Sequence, residues 1–271
     1  MSRSTARNCV SEHPEAEAAF GRLVDIMRRL RGPDGCPWDR EQDLRSLRRC
    51  VLEEAYEVVQ VIDDNDMEAL PAELGDLLLQ VVFISQMASE EGIFDVRQVA
   101  DAICDKLVRR HPHVFGDGEA ENADEVLQRW ESIKREERGS GSVLDDIPAS
   151  FPALARAEKL GRRAAHAGFD WPDVEGVVRK VREELEEVEE AMAGEAGVRR
   201  SPVVEEEIGD LLFAIANLAR HLGLSPEAAL RRSSEKFERR FRAIEPRIAS
   251  GEAADLAAMD ALWEDAKGRE R

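Results

Sequence analysis

Two acidic patterns each occur twice in this chain, in the same order. The first pattern is Glu-Glu-x-x-Glu, and the second is Glu-x-x-Asp-Leu-Leu. Their acidic members are Glu53, Glu54, Glu57, Glu73 and Asp76 in the first copy and Glu183, Glu184, Glu187, Glu207 and Asp210 in the second. The copies are offset by 130 residues for the first pattern and by 134 for the second. Carboxylates that recur in this way within apolar helical stretches indicate a cation site in each copy.

The spacing of these acids places them on shared helix faces. Glu54 and Glu57 are three residues apart, as are Glu73 and Asp76, so each pair faces one side of its helix. If the two helices are neighbours, four carboxylates converge, and some must protonate unless a cation offsets their charge. Ligation by oxygen alone suits Mg²⁺, with Mn²⁺ as a substitute, whereas Zn²⁺ prefers His or Cys.

Asp76 and Asp210 argue against an ordinary solvated acidic surface. Each lies in a stretch that is apolar nearly all round, Leu74–Phe83 for Asp76 and Ile208–Phe213 for Asp210. Helices of this composition are buried, and a buried carboxylate needs a partner. We therefore expect both aspartates to be buried metal ligands.

Basic residues and tryptophans repeat as well. The basic pairs, each spaced four residues apart, are Lys106 with Arg110 and Lys236 with Arg240. A Lys and an Arg on one helix face can hold phosphate oxygens, although such a pair by itself is better explained as a surface ion pair with a nearby Glu. Carboxylates with Mg²⁺ and such a pair are typical of phosphate-ester or anhydride chemistry. The repeated tryptophans are Trp38 with Trp171 and Trp130 with Trp263; a tryptophan is more often a core residue than a stacking surface for a base.

The elements that position these residues are predicted to be helices throughout, because helical periodicity is present almost everywhere and strand patterns are nearly absent. The predicted helices span 20–31, 44–62, 71–89, 96–110 and 174–193, and two more open at Pro202 and Pro226, each after a serine cap. The fold class is all-α, a tandem repeat of two four-helix modules, each expected to be an antiparallel bundle. The predicted organisation is a disordered lead (1–19), a first module (20–138), a Gly/Ser linker (139–150) and a second module (151–271).

Composition narrows the partners. The 271 residues include 57 Asp and Glu against 38 Lys and Arg, for a net charge of −19. Such a surface repels nucleic-acid backbones, so no nucleic-acid partner is expected, but a metal ion could still offset the charge of a nucleotide. The four cysteines form no CxxC pair, which predicts reduced thiols and a cytoplasmic location. No apolar stretch of membrane-spanning length and no signal peptide is recognised, so no membrane association is expected.

Taken together, these motifs resemble the MazG family of nucleoside triphosphate pyrophosphohydrolases, in its two-module form. The stretches that carry the resemblance are Gly35–Asp39, Leu52–Glu57, Glu73–Leu78, Arg109–Phe115 and Lys236–Phe241. Each stretch alone is only modestly specific, but the order and duplication of the stretches make the resemblance strong. The resemblance covers nearly all of the chain after residue 19. It implies an all-α homodimer that depends on Mg²⁺ and hydrolyses NTPs or dNTPs to a monophosphate and pyrophosphate, which would remove unwanted nucleotides.

The resemblance also implies roles for individual residues. The metal ligands would be Glu184, Glu187, Glu207 and Asp210 in the second module and Glu54, Glu57, Glu73 and Asp76 in the first. The substrate-binding residues would be Lys180, Lys236, Arg240 and Trp263 in the second module and Lys106 and Arg110 in the first. The catalytic group would be Glu183, Glu184, Glu187, Lys236 and Arg240. Activity is expected chiefly from the second module. The first keeps every acid but has Ala55-Tyr56 in place of Leu185-Glu186, so it is either active with altered specificity or mainly a dimerisation module.

Two other interpretations stay open. A related all-α enzyme, of the dUTPase-like or phosphoribosyl-ATP pyrophosphohydrolase type, is disfavoured by the tandem layout and by the Gly35–Trp38 stretch. A metal-stabilised helical scaffold that binds nucleotides without turnover would show a nucleotide-dependent thermal shift but no hydrolysis. His111 and His113 have no further ligand at a zinc spacing, and no Gly-rich phosphate loop or GxSxG pattern is present.

Overall fold

The computed structural model describes residues 13–116, 122, 125–126, 133, 141–194, 201–251 and 255–269. All regular structure in these residues is helical, which confirms the all-α prediction. The chain divides into two compact units, Met1–Lys134 and Arg135–Arg271, and each contains one copy of the repeated motifs. Trp130, the counterpart of Trp263 in the repeat, lies outside the described residues.

The first unit is organised around one long helix. Its described helices are α1 (Pro14–Arg31), α2 (Pro37–Glu41), α3 (Leu47–Asp63), α4 (Leu70–Glu90), α5 (Val96–Arg110) and α6 (Pro112–Phe115). Helix α4 packs against α1, α3 and α5. The core formed between these helices consists of Met27, Leu47, Val82, Phe83 and Met87.

Local side chains explain where the helices of the first unit begin. Helix α1 begins at Pro14, so the predicted disordered lead was wrong for its last residues; a proline at the start and acids in the first turn favour a helix there. Helix α3 begins at Leu47 rather than Leu44, because the Asp43 side chain accepts backbone hydrogen bonds from Arg45 and Ser46 and holds a turn. Helix α5 spans Val96–Arg110 as predicted.

The second unit is also built around its metal-motif helices. Its described helices are α7 (Ala153–His166), α8 (Val174–Gly194), α9 (Pro202–His221), α10 (Pro226–Ala249) and α11 (Leu256–Arg269). Helix α9 packs most extensively against α8 and also contacts α7 and α10. The predicted serine caps are confirmed, because Ser201 accepts a hydrogen bond from the backbone of Val204 and Ser225 from that of Ala228.

Part of the predicted linker is attached to the second unit. The structure describes residues 141–150 of the predicted 139–150 linker, and these residues form turns and bends rather than a helix. The Arg163 guanidinium on α7 donates hydrogen bonds to the backbone carbonyls of Val143 and Asp145. These turns therefore pack on the second unit, and the module boundaries themselves stay a prediction.

One face of α4 and the matching face of α9 are uncovered within the described chain. The apolar side chains on these faces are between 41% and 48% exposed, and they are Leu74, Leu78 and Val81 on α4 and Ile208, Leu212 and Ile215 on α9. Asp76 and Asp210 are also exposed, so the expectation that they are buried was wrong. An all-round apolar helix indicates burial only when neighbours cover every face, and here one face has no neighbour.

The same helix bears on the membrane prediction. By length and composition, helix α4 could cross a membrane, so the prediction that no apolar stretch reaches that length was wrong. Of its most apolar 18-residue window, 28% is buried inside the protein. It is nevertheless the helix against which α1, α3 and α5 pack, and it carries Glu73 and Asp76. A role as the central helix of the first unit explains the apolar composition of α4 without a membrane.

The Arg31 side chain provides a test of the first unit's core. It is 10% exposed, forms a bidentate pair with Glu90, donates to the carbonyl of Asp39 and lies over the Phe83 ring. We predict that Arg31→Met lowers the free energy of unfolding by about 2 kcal/mol, because the carboxylate of Glu90 loses a charged partner. Urea unfolding followed by circular dichroism would measure it.

The control is Arg28→Met, which removes an exposed pair with Asp25 and should change stability by less than about 0.5 kcal/mol. Equal effects of the two substitutions would contradict the assigned role of Arg31.

Candidate active site

The second unit brings three of its predicted metal ligands together. Glu184 on α8 and Glu207 and Asp210 on α9 each offer a carboxylate oxygen, and these oxygens lie within 4.8 Å of one another. The Glu184 side chain is only 7% exposed. Glu187 lies one turn further along α8, and its pKa is raised first by burial and second by the neighbouring carboxyl group of Glu184.

Lys180 offsets part of this negative charge. Its Nζ atom lies 2.7 Å from a carboxylate oxygen of Glu183 and 2.7 Å from one of Glu184. Hydrogen bonds to these two acids raise the pKa of Lys180, so it is a firmly protonated cation. The resemblance alone had singled out Lys180, although its spacing of three and four residues from the two acids also predicts these ion pairs.

The first unit assembles a comparable acidic cluster without such a lysine. Carboxylate oxygens of Glu54, Glu57 and Glu73 lie within 4.8 Å of one another. Burial raises the pKa of Glu54, and repulsion from Glu57 and Asp76 adds to the effect. At the 130-residue offset, Cys50 occupies the position of Lys180, a difference that the sequence interpretation had missed. The second cluster therefore has a cation at a position where the first has a thiol.

Both clusters have the donor set of a hard divalent cation. All their ligand atoms are carboxylate oxygens, drawn from two neighbouring helices. Burial first, and neighbouring acids after it, raise the pKa values of Glu54 and Glu187, and each cluster concentrates negative charge. Mg²⁺ or Mn²⁺ would neutralise it and would retain coordination positions for water and phosphate.

A cavity of about 700 Å³ opens beside the acidic cluster of the second unit. Lys180, Glu184 and Asp210 contribute to its lining, together with apolar side chains from α7, α9 and the loop before α8. A cavity of this size with a few polar groups is typical of a small-molecule site.

The predicted phosphate-binding residues are placed differently. Lys236 is exposed and Arg240 is half-buried on α10, and neither is among the described residues that line this cavity. Trp263 packs against the core of α10 and α11, with its ring centroid 5.1 Å from that of Phe237. In the first unit, Lys106 is exposed and Arg110 half-buried at the end of α5. The roles of all five residues stay predictions.

The Lys180 ion pairs provide a test of the charge balance. We predict that Lys180→Met lowers the thermal midpoint by about 2–4 °C when divalent cations are chelated, because Glu184 loses its cation. Added Mg²⁺ should then raise the midpoint more than it does in the unchanged protein. Differential scanning calorimetry would measure both.

The matched control is Arg179→Met, which removes one positive charge from an exposed neighbouring position. A loss as large as that of Lys180→Met would show that overall charge, rather than these ion pairs, controls the midpoint.

Comparisons with known proteins agree with this arrangement. The family model described as the MazG nucleotide pyrophosphohydrolase domain matches twice, at residues 42–115 and 173–244. A nucleoside triphosphate pyrophosphohydrolase of Escherichia coli K12 is 52% identical over 257 residues, covering 92% of this chain and 97% of that protein. The nucleoside triphosphate pyrophosphohydrolase/pyrophosphatase MazG of Thermotoga maritima is 42% identical over 260 residues, covering 94% and 98%.

A longer relative is also similar. The uncharacterized protein YabN of Bacillus subtilis is 42% identical over 259 residues, which cover 93% of this chain and 52% of that protein. The two matches to the family model contain both acidic clusters and both Lys/Arg pairs. The chain belongs to the MazG nucleotide pyrophosphohydrolase family.

Proposed function

We propose that this protein is a Mg²⁺-dependent nucleoside triphosphate pyrophosphohydrolase that converts NTPs or dNTPs to a monophosphate and pyrophosphate. The observation that carries the proposal is the set of converging carboxylates of Glu184, Glu207 and Asp210 beside a cavity of nucleotide size. The relatives with this layout support it, since two of them bear the name of that activity. Removal of unwanted nucleotides is the corresponding cellular role.

The second unit is the proposed catalytic unit. Glu184, Glu187, Glu207 and Asp210 would hold the metal, with Glu54, Glu57, Glu73 and Asp76 as the corresponding set in the first unit. When bound, Mg²⁺ lowers the pKa of a coordinated water and offsets the charge of a triphosphate. The cation Lys180 beside Glu183 and Glu184 favours the second unit, because the first has Cys50 there.

The remaining steps belong to side chains. Glu183 is exposed next to the ligand set and would orient the attacking water and take its proton. The water oxygen then bonds to the α-phosphorus, and the bond from that phosphorus to the oxygen bridging to the β-phosphate breaks. Pyrophosphate leaves with the bonding electrons, and Lys236 and Arg240 would stabilise the charge that develops on it.

We also propose that the protein is a homodimer, located in the cytoplasm. The support for dimerisation is the exposed apolar face of α4 or α9, where three residues recur at matching positions of the repeat. Apolar faces of this kind are costly in water and typically mark an interface. The location rests on the cysteine pattern alone.

The reaction is tested by product analysis. With Mg²⁺ and each of the common NTPs and dNTPs, we predict release of pyrophosphate and a monophosphate. Asp210→Asn should reduce kcat/KM at least a hundredfold, because a neutral amide is a poor ligand for Mg²⁺. Ion chromatography of the products would measure both outcomes.

The matched control is Asp76→Asn, which makes the same change in the first unit and should reduce kcat/KM less than threefold. Release of orthophosphate would refute the reaction class, and a larger effect of Asp76→Asn would refute the choice of unit. A nucleotide-dependent thermal shift without hydrolysis would favour a binding scaffold.

The dimer is tested at the two exposed faces. We predict that Leu78→Glu or Leu212→Glu yields a monomer, because a buried charge at an apolar interface has no partner. Light scattering would give the mass in solution. Met67→Glu, in the exposed turn between α3 and α4, should stay dimeric. A monomeric unchanged protein, or two dimeric variants, would contradict the proposal.

A further inference from the structure

The cavity of the second unit combines two kinds of surface. Its charged lining, formed by Lys180, Glu184 and Asp210, belongs to the proposed metal and phosphate site. The rest is largely apolar and includes Leu160, Ala164, Phe169, Trp171, Phe213 and Ala214. A triphosphate needs only the charged lining, so the apolar part has room for a flat, weakly polar group joined to it.

Trp171 forms a wall of this apolar part. A Cβ atom on Gly176, in the first turns of α8, would lie 2.8 Å from the Cε3 atom of the Trp171 indole, so only glycine allows the ring to approach that helix. The side chain is still 43% exposed. The indole is therefore packed on one side and available on another, as a stacking surface for an aromatic ligand requires.

Asn217 is a polar side chain among these apolar groups. Its Oδ1 atom accepts a hydrogen bond of 2.8 Å from the Nε atom of Arg220. Because a guanidinium can only donate, the partner atom must be the amide oxygen, which fixes the orientation of the amide. Within the described residues the amide nitrogen of Asn217 has no hydrogen-bond partner, so it presents its N–H donors to the cavity.

Neighbouring residues hold Asn217 in place. Gly161 on α7 permits the close approach, because a Cβ there would lie 3.0 Å from the Asn217 oxygen. Arg220 is bound in turn by the carboxylate of Asp170, which also accepts hydrogen bonds from His221 and from the backbone of Trp171. Burial opposes ionisation of Asp170, but the hydrogen bonds from Arg220 and His221 outweigh it and lower its pKa. The Asn217 amide and the backbone of Trp171 are thus connected by hydrogen bonds through Arg220 and Asp170.

The first unit has larger side chains at two positions that correspond to cavity-lining residues of the second. At the 134-residue offset of the second acidic pattern, Phe83 stands where the second unit has Asn217. At the 133-residue offset of the Gly-x-x-Trp stretch, Met27 corresponds to Leu160 and Arg31 to Ala164. Phe83 is 3% exposed and Met27 is 1% exposed, both in the hydrophobic core. Asn217 and Ala164, which line the cavity, are therefore smaller than their counterparts in the first copy, Phe83 and Arg31.

We propose that this cavity binds the nucleobase of the substrate, with Trp171 as an apolar wall and the Asn217 amide as a donor to the base. The inference rests on the proposed function, since it names the part of the nucleotide that lies beside the phosphate site. A fixed N–H donor pairs with a ring nitrogen or a carbonyl oxygen and not with an exocyclic amine. All common bases have such acceptors, so the site admits purines and pyrimidines.

Binding of the base in this cavity is tested with two substitutions, each on a different wall. Each variant is assayed with NTPs and with inorganic tripolyphosphate. Asn217→Asp keeps the shape and the hydrogen bond from Arg220 but replaces the donor with an acceptor. Ala164→Leu narrows the cavity and leaves Asn217 in place. We expect each to raise KM for NTPs at least tenfold, because an unpaired or excluded base destabilises the complex. Inorganic tripolyphosphate, which has no base, should inhibit both variants with a Ki within twofold of the unchanged protein.

The outcomes separate this inference from the proposed function. If the unchanged protein releases no pyrophosphate, the proposed function fails whatever the variants do. If it is active and neither variant alters KM, or if the Ki for tripolyphosphate rises by the same factor as KM, the base does not bind in this cavity. Tripolyphosphate binding to the variants also reports that their metal site is folded.

Discussion

Carboxylates from α8 and α9 lie so close together that their charges must be offset, and much of the second unit follows from this requirement. The most extensive helix contact in the unit is the one between these two helices. That contact buries Glu184, which by itself would be unfavourable, and Lys180, one turn earlier on the same helix, pairs with Glu184 as partial compensation. A divalent cation would complete the neutralisation, so the packing that stabilises the fold also brings together the carboxylates that would bind it.

The two units show how the same helical frame supports different sites. Both place three carboxylates within 4.8 Å of one another. They differ just before the first acidic pattern, where the second unit has Lys180 and the first has Cys50. They also differ on the helix that carries the second pattern, where the second unit has Asn217 and the first has Phe83. The two units therefore share their helical arrangement and differ in a few side chains around the acidic cluster.

Local features of the sequence predicted most of the helices, but contacts between distant residues could not be predicted from the sequence. The Ser201-Pro202 and Ser225-Pro226 pairs gave the starts of two helices, because a cap depends only on neighbouring residues. The start of α3 was misplaced, since the Asp43 turn competes with helix formation. The burial of Asp76 and Asp210 was wrong, because an apolar helix does not reveal which of its faces is covered. The cavity was not foreseen, since it needs Gly161 and Asn217, distant in sequence, to be adjacent.

The buried Phe83, whose counterpart is the smaller Asn217, gives the divergence of the two copies a direction. Truncating a buried phenylalanine costs about 3–5 kcal/mol, which is comparable to much of the 5–15 kcal/mol that keeps a domain folded. Emptying the core of the first unit to recreate the cavity would therefore pass through an unstable protein, whereas filling a cavity with a larger side chain need not. A duplicated gene whose copies began with a cavity could lose one readily and would regain it only with difficulty.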